Sequence, residues 1–343
     1  MPAAPAPPLH ALFQRRVDGD DALLQLARLR FEQAGLAAEA YAGSPDELDA
    51  VLGFAPDSAR PPTVHLSRRI DIRRQPDRDA VAVFAGRFAG RVSGFVVHDR
   101  ADMPARLDEL VAAAAELSEV LTRSGGPAHL FIEYAAGCEL AEFVEMGRRL
   151  AGVQRLGLCI DTGHVGIREA RRHFARERPD VGVDLTALRP DDPRLPELAA
   201  DVQAAVGAGL PAVLELTGAL AGLGRPVHYH LHDGHPLTEG LADHAGFLTR
   251  LPVPFPYRDR RSLDPLYGPA GLATIVRAAA EAYQPGQLSF TLEIHQGGGR
   301  LPLGDAAPLF RHWRDSTNAE RMNAWLAVLA ENAALVTAAL TSR

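Results

Sequence analysis

The sequence predicts an α/β protein, a (β/α)8 TIM barrel spanning residues 1–343 as one domain, with helical insertions after strands six and seven and a C-terminal helix. Three observations predict it. Short apolar segments alternate with long helix-like stretches from end to end, the pattern of a parallel sheet with crossover helices. The length of 343 residues suits one elaborated barrel, since a lone barrel takes roughly 250 and insertions add to that. Six of the short segments carry a polar residue near their C-terminal end, where this fold places its chemistry.

Eight strands are expected, near Leu9–Phe13, Ala37–Tyr41, Thr63–Leu66, Gly94–His98, Leu130–Tyr134, Leu156–Asp161, Val227–His232 and Ser289–His295. A helix over Asp21–Gln33 follows the first, with Leu23, Leu24, Leu26, Ala27 and Leu29 at helical spacing. The next opens Ser44-Pro-Asp-Glu, an N-cap with proline in the first turn, and runs to Leu52. Leu107–Leu121 and Glu139–Leu150 follow later strands. Val165–Pro226 is long enough for extra helices after the sixth strand. Gly234–Gly271, after the seventh, is rich in Pro and Arg. Long connections at this end of a barrel shape substrate sites. Ala319–Leu340 is expected to be a terminal helix covering the barrel or a second copy in a homo-oligomer. No solenoid repeat or low-complexity linker interrupts the chain.

Composition narrows the chemistry. Hydrophobic residues make up 47% of the chain, enough for a large core. No uninterrupted apolar run reaches the roughly 18 residues of a membrane helix. Met1–His10 has no basic region ahead of an apolar stretch, so it does not read as a signal peptide. The two cysteines, Cys138 and Cys159, form no Cys-x-x-Cys pair, and a reducing cytoplasm is the expected location. A net charge of −7 argues against a broad nucleic-acid surface, although Arg68, Arg69, Arg73 and Arg74 cluster. The chain contains no lysine. That excludes Schiff-base and pyridoxal phosphate chemistry, which need an amine nucleophile, and a Walker A phosphate loop.

The six late-strand residues are His65, His98, Glu133, Asp161, His230 and Glu293. Successive side chains of a strand point to opposite faces. Val64 and Leu66 flank His65, Ile132 precedes Glu133, Ile160 precedes Asp161, and Leu292 and Ile294 flank Glu293. The apolar neighbours can face the helices while the polar residues face the barrel axis. A single buried histidine often does no more than satisfy a backbone group. Three carboxylates aimed at one axis are different, because they repel one another unless a cation sits among them. Mixed carboxylate and imidazole donors suit Zn, Mn, Fe or Co rather than Ca. The segment around the seventh strand is the densest, with His228, His230, His232, Asp233 and His235. His164 lies three residues after Asp161, placed for a substrate or a second metal. A helix-capping role is open to Asp161 or Thr162.

Four motifs carry a family resemblance: Ile-Glu-Tyr-Ala-Ala-Gly at 132–137, Cys-Ile-Asp-Thr-Gly-His at 159–164, His-Leu-His-Asp at 230–233 and Leu-Glu-Ile at 292–294. In this order they resemble the xylose isomerase-like barrel superfamily. That group holds sugar phosphate isomerases and epimerases, inosose and dehydroshikimate dehydratases, and AP endonucleases of family 2. The resemblance runs from about the third strand onward, and Asp-Thr-Gly-His is its most specific piece. It implies a divalent metal on Glu133, Asp161, His230 and Glu293, with His164 as a substrate contact in epimerases or a metal ligand in nucleases. His65 and His98 fall where the nucleases bind a further zinc. The nucleases also carry an Asp-x-His motif after the seventh strand. Here Asp259-Arg-Arg261 and Asp243-His244 depart from it. The missing lysine separates the chain from true xylose isomerases, and Tyr134 replaces an Asn common in the family.

The leading expectation is a metal-dependent isomerase or epimerase of a sugar, sugar phosphate or polyol-like small molecule. Glu133 and Glu293 would transfer the proton, and His164, His232, Asp233, His65 and His98 would contact substrate. The alternatives are a dehydratase with the same metal, an AP endonuclease, and a non-catalytic member that binds metal or ligand.

Overall fold

The computed structural model describes residues 6–13, 21–54, 58–188, 192–237, 264–294 and 319–342. Eight strands form one closed barrel in the order β1 to β8. They are β1 (Leu9–Phe13), β2 (Ala37–Tyr41), β3 (Thr63–His65), β4 (Gly94–His98), β5 (His129–Tyr134), β6 (Leu156–Asp161), β7 (Val227–Leu231) and β8 (Leu288–Leu292). Every registered pair from β1 to β7 is parallel. The expected strands all form: β1, β2, β4 and β6 have the expected bounds, β3, β5 and β7 differ by one residue at one end, and β8 runs from Leu288 to Leu292. β7 stops before His232 and β8 before Glu293, although the Glu293 N–H still donates to the Leu231 carbonyl at 3.1 Å. His295 lies outside the described residues.

The helices are α1 (Asp21–Gln33), α2 (Pro45–Gly53), α3 (Gln75–Phe88), α4 (Leu107–Arg123), α5 (Leu140–Arg149), α6 (Thr162–Glu177), α7 (Leu195–Gly207), α8 (Gly209–Ala221), α9 (Gly268–Ala282) and α10 (Ala319–Thr341). The Ser44 cap forms as its sequence predicts: Ser44 Oγ accepts from the Glu47 N–H at 3.2 Å, and Pro45 starts α2. The insertion after β6 is helical, and α10 is the expected terminal helix. Most of the insertion after β7, residues 238–263, lies outside the described residues, including both partial Asp-x-His candidates.

The chain divides into two compact units. The first holds Met1–Asp161, Leu216–His230 and Ala282–Thr291; the second holds Thr162–Glu215, Leu231–Glu281 and Leu292–Arg343. In the first, strand alternation builds an apolar cluster of Val96, Phe131 and Cys159 on β4, β5 and β6. Two glycines make room for the Phe131 ring. A Cβ on Gly94 or on Gly157 would stand 2.5 Å from a ring carbon of Phe131. Small residues on both neighbouring strands thus let one large side chain fill the interior, as dense packing requires. In the second unit, α6 packs on α7. The buried side chains of α7 are Leu195, Leu198, Val202, Ala205 and Val206, a stripe at helical spacing.

Leu195–Ala221, which covers α7 and α8, is long and apolar enough to cross a membrane by length and composition, with a mean hydropathy of 1.5. In the sequence, Glu197, Asp201 and Glu215 interrupt this segment. The buried stripe of α7 gives its apolar residues an intramolecular partner. Cys138 and Cys159 are both buried, and neither forms a disulfide.

Candidate metal centre

Strand register decides which polar side chains meet. His65 on β3 pairs with Val96 on β4, His98 on β4 with Glu133 on β5, and Asp161 on β6 with His230 on β7. All five of these polar residues belong to the first unit. His65, Glu133, Asp161 and His230 are buried, and His98 is the one partly open to solvent. Each offers a side chain on the interior face because an apolar neighbour takes the other.

Glu133 is the hub. Its Oε2 lies 3.0 Å from His65 Nε2 and 3.2 Å from His98 Nε2, and those two nitrogens are 3.3 Å apart. Its Oε1 lies 3.3 Å from His230 Nδ1. Ligand atoms of Glu133, Asp161 and His230 all fall within 4.8 Å of one another. His65 Nδ1 donates to the Leu66 carbonyl at 2.9 Å, which leaves Nε2 as the nitrogen turned to the carboxylate.

The arrangement fits a metal on its own geometry. A tetrahedral ion with ligands at about 2.0–2.1 Å sets ligand atoms about 3.3 Å apart. The three separations among His65, His98 and Glu133 run from 3.0 to 3.3 Å. Buried carboxylate and imidazole donors also form the mixed set that first-row divalent metals accept. Two groups, His65–His98–Glu133 and Glu133–Asp161–His230, share Glu133.

Electrostatics agree. Burial works against ionising Glu133, but His98, His230 and His65 outweigh it and hold the carboxyl well below its ordinary range. Burial disfavours the His65 imidazolium, yet Glu133 beside it raises the pKa above the ordinary value. The cluster is therefore built around concentrated charge of both signs, which costs less once a fixed cation replaces the protons.

The other predicted residues lie in the second unit. Thr162 opens α6, donating through Oγ1 to the His232 carbonyl at 2.9 Å and accepting the His232 N–H at 3.1 Å. The His232 ring lies against Gly163, where a Cβ would come within 1.7 Å of it, so the glycine of Asp-Thr-Gly-His is sterically required. His164, in the first turn of α6, meets the His232 ring edge-on with centroids 6.4 Å apart. Asp233 is buried and accepts backbone N–H groups from Gly234, Tyr267 and Gly268 at 2.7–3.1 Å. Its carboxylate thereby anchors the start of α9, and burial pushes its pKa up to about 6. Glu293 is buried one residue past β8.

Three residues given no role by the sequence reading belong to this machinery. Glu39 on β2 is fully buried, with Oε2 accepting from Thr63 and Thr291 and Oε1 lying 2.9 Å from His230 Nε2. His228, two residues before His230, bonds the same carboxylate at 2.9 Å. Asp99, next to His98, accepts from the Ala135, Gly137 and Cys138 N–H groups and so fixes the loop that leaves Glu133. That loop holds Ala136 at a φ of 59°, a left-handed conformation sustained by those bonds. The sequence signal for Glu39 was present: a lone carboxylate at the centre of Ala-Ala-Glu-Ala-Tyr.

No protein-family model matches the chain, and no curated protein matches it. Solved structures of the carboxyl transferase domain from Rhizobium etli pyruvate carboxylase do. One aligns at 13% identity and a TM-score of 0.43, covering 96% of this chain and 48% of that one. Another, with 3-bromopyruvate, aligns at 13% identity and a TM-score of 0.41, covering 97% and 48%. The chain spans about half the length of these domains. Likeness at this level assigns neither family nor activity, and the barrel rests on the chain's own closed eight-strand sheet.

Proposed function

We propose that the chain is a divalent-metal-dependent enzyme of the xylose isomerase-like type, an isomerase or epimerase of a sugar, sugar phosphate or polyol-like small molecule. The observation that carries this reading is the meeting of buried Glu133, Asp161 and His230 ligand atoms at the ends of three adjacent strands. Glu293 enters as the fourth ligand on the resemblance of Leu292-Glu-Ile294 to the family pattern. Zn, Mn, Fe or Co suits this donor set.

Glu133, Asp161, His230 and Glu293 would hold the divalent ion, which would supply Lewis-acid polarisation of neighbouring carbonyl and hydroxyl oxygens and so acidify the adjacent C–H. Glu293 takes the proton, and Glu133 returns one to the other face or the adjacent carbon. His164 and His232 orient hydroxyls, and His98, the partly open member, meets the substrate at the rim. His65 and Asp233 hold their neighbours in place. A cytoplasmic location and a single working domain complete the reading.

One observation favours a second reading, hydrolysis of a phosphoester at a two-metal centre. His65 and His98 converge on the same Glu133 oxygen at 3.0 and 3.2 Å, so a second ion fits beside the first. Two ions sharing a carboxylate suit in-line displacement.

One experiment separates the two. Metal-loaded protein is incubated in heavy water with a panel of ketoses, aldoses and their phosphates, and in parallel with a duplex carrying an abasic site. The first reading predicts deuterium at the carbon next to the carbonyl of one panel member and an intact duplex. Metal-dependent incision at an enzyme-like rate, without deuterium incorporation, would put the second reading in its place.

A further inference from the structure

Glu39 is a buried carboxylate that the proposed chemistry does not use. Two threonine hydroxyls donate to its Oε2: Thr63 at 2.7 Å and Thr291 at 2.6 Å. His228 Nε2 reaches the same oxygen at 2.9 Å. The other oxygen, Oε1, lies 2.9 Å from His230 Nε2.

The protons around this carboxylate can be placed. An ionised carboxylate only accepts, so each partner must present a hydrogen. His228 Nδ1 meets the Ser289 hydroxyl at 2.7 Å, which can donate to it, so His228 is satisfied as the neutral Nε2–H tautomer. Oε2 is then engaged by three donors, and Oε1 is directed at the Nε2–H of His230. The opposite ring nitrogen of His230, Nδ1, is the one 3.3 Å from Glu133 Oε1. All of these residues lie within the first unit.

We infer that Glu39 is the positioning residue of the metal centre: by holding Nε2–H of His230 it makes Nδ1 the metal-donating nitrogen. The inference rests on the metal reading above and adds to it which atom binds and what fixes that choice. A carboxylate behind a ligating imidazole sets its tautomer, its orientation and its basicity. His228, Thr63 and Thr291 hold the carboxylate that does so, which explains three further polar side chains in the barrel interior. A role confined to filling the interior would not select one nitrogen of His230 over the other.

The test uses the full chain labelled with 15N-histidine and loaded with 113Cd. The 15N–113Cd coupling of His230, assigned by its loss in His230→Gln, is predicted at Nδ1, with Nε2 still protonated. Coupling at Nε2 would overturn the inference. In parallel, Glu39→Gln should weaken zinc binding about 10- to 100-fold in a chelator competition. Thr63→Val, which removes one donor to the carboxylate without touching His230, should cost thermal stability and move affinity less. If Glu39→Gln binds zinc as tightly as the wild type, Glu39 has no positioning role and the metal centre stands without it. If the wild type retains neither zinc nor cadmium, the metal reading fails and this inference with it. If Glu39→Gln does not fold, the coupling in the wild type decides alone.

Discussion

Two neighbouring layers of the first unit are built on the same strands and the same face, two residues apart. Val96, Phe131 and Cys159 form an apolar layer; His98, Glu133 and Asp161, the next inward positions on β4, β5 and β6, form a charged one. The backbone treats them alike, and the side chains make opposite contributions. The apolar layer stabilises the fold through packing around Phe131, with Gly94 and Gly157 shaped to it. The charged layer holds buried carboxylates and imidazoles whose desolvation works against the fold. A barrel can carry such a layer because the one beneath it is densely packed. The difference separates residues that keep the chain folded from residues that give it chemistry.

Mutations should respect that division. Phe131→Ala should produce the largest loss of stability, roughly 3–5 kcal/mol in urea unfolding, because a buried ring with two glycine neighbours leaves a cavity no side chain can fill. Zinc affinity of the fraction that stays folded should be unchanged. A loss below about 1 kcal/mol would show that Phe131 is not the packed centre of that layer.

The polar interior should show itself through pH. Burial, then His228, lowers the pKa of His10 from 6.5 to about 4. The folded pKa is depressed, so the unfolded chain binds the proton first and stability falls as pH drops from 6.5 towards about 4. The loss from this one group is about 3 kcal/mol. His65 is raised by Glu133, so it acts in the opposite sense, at pH values above that window. His10→Gln should flatten the pH dependence of unfolding between 4 and 6.5 by close to one proton. An unchanged slope would contradict the buried neutral state of His10. Phe131 variants should leave the slope as it is.

The smallest effect tests the glycine side of the packed layer. Gly157→Ala puts a methyl 2.5 Å from the Phe131 ring and 2.6 Å from the Pro226 carbonyl. Overpacking of this kind costs about 1–3 kcal/mol. Combining it with Phe131→Leu should recover part of that loss, since the clash with the ring is relieved, and a purely additive double variant would argue against the contact.

Much of this was legible in the sequence. The alternation of Leu and Ile with Glu133 and Asp161 marked both the strands and their buried polar positions, because period-two patterning encodes which side is buried. The expected bounds of β1, β2, β4 and β6 agree with those observed. Glu39 and His10 were harder to read. Glu39 lies in the alanine-rich β2, which gives little contrast between faces, and each residue has a partner more than 180 residues away in sequence: His228 for Glu39, Phe290 for His10. Asp99 was hidden for a different reason. It accepts mainly from backbone N–H groups, which leave little trace in residue identity beyond Gly137, whose Cβ would stand 2.7 Å from it, and the Cys138 thiol at 3.1 Å.

The central claim is that the charged layer exists to hold a divalent metal. Elemental analysis of the full chain after loading with zinc and exhaustive dialysis tests it most directly, with Glu133→Gln alongside. The account predicts at least one ion per chain in the wild type, and little retained by Glu133→Gln, whose stability without metal should fall less than that of Phe131→Ala. A wild-type chain that emerges folded and free of metal, or a Glu133→Gln chain that keeps its full complement, would contradict it.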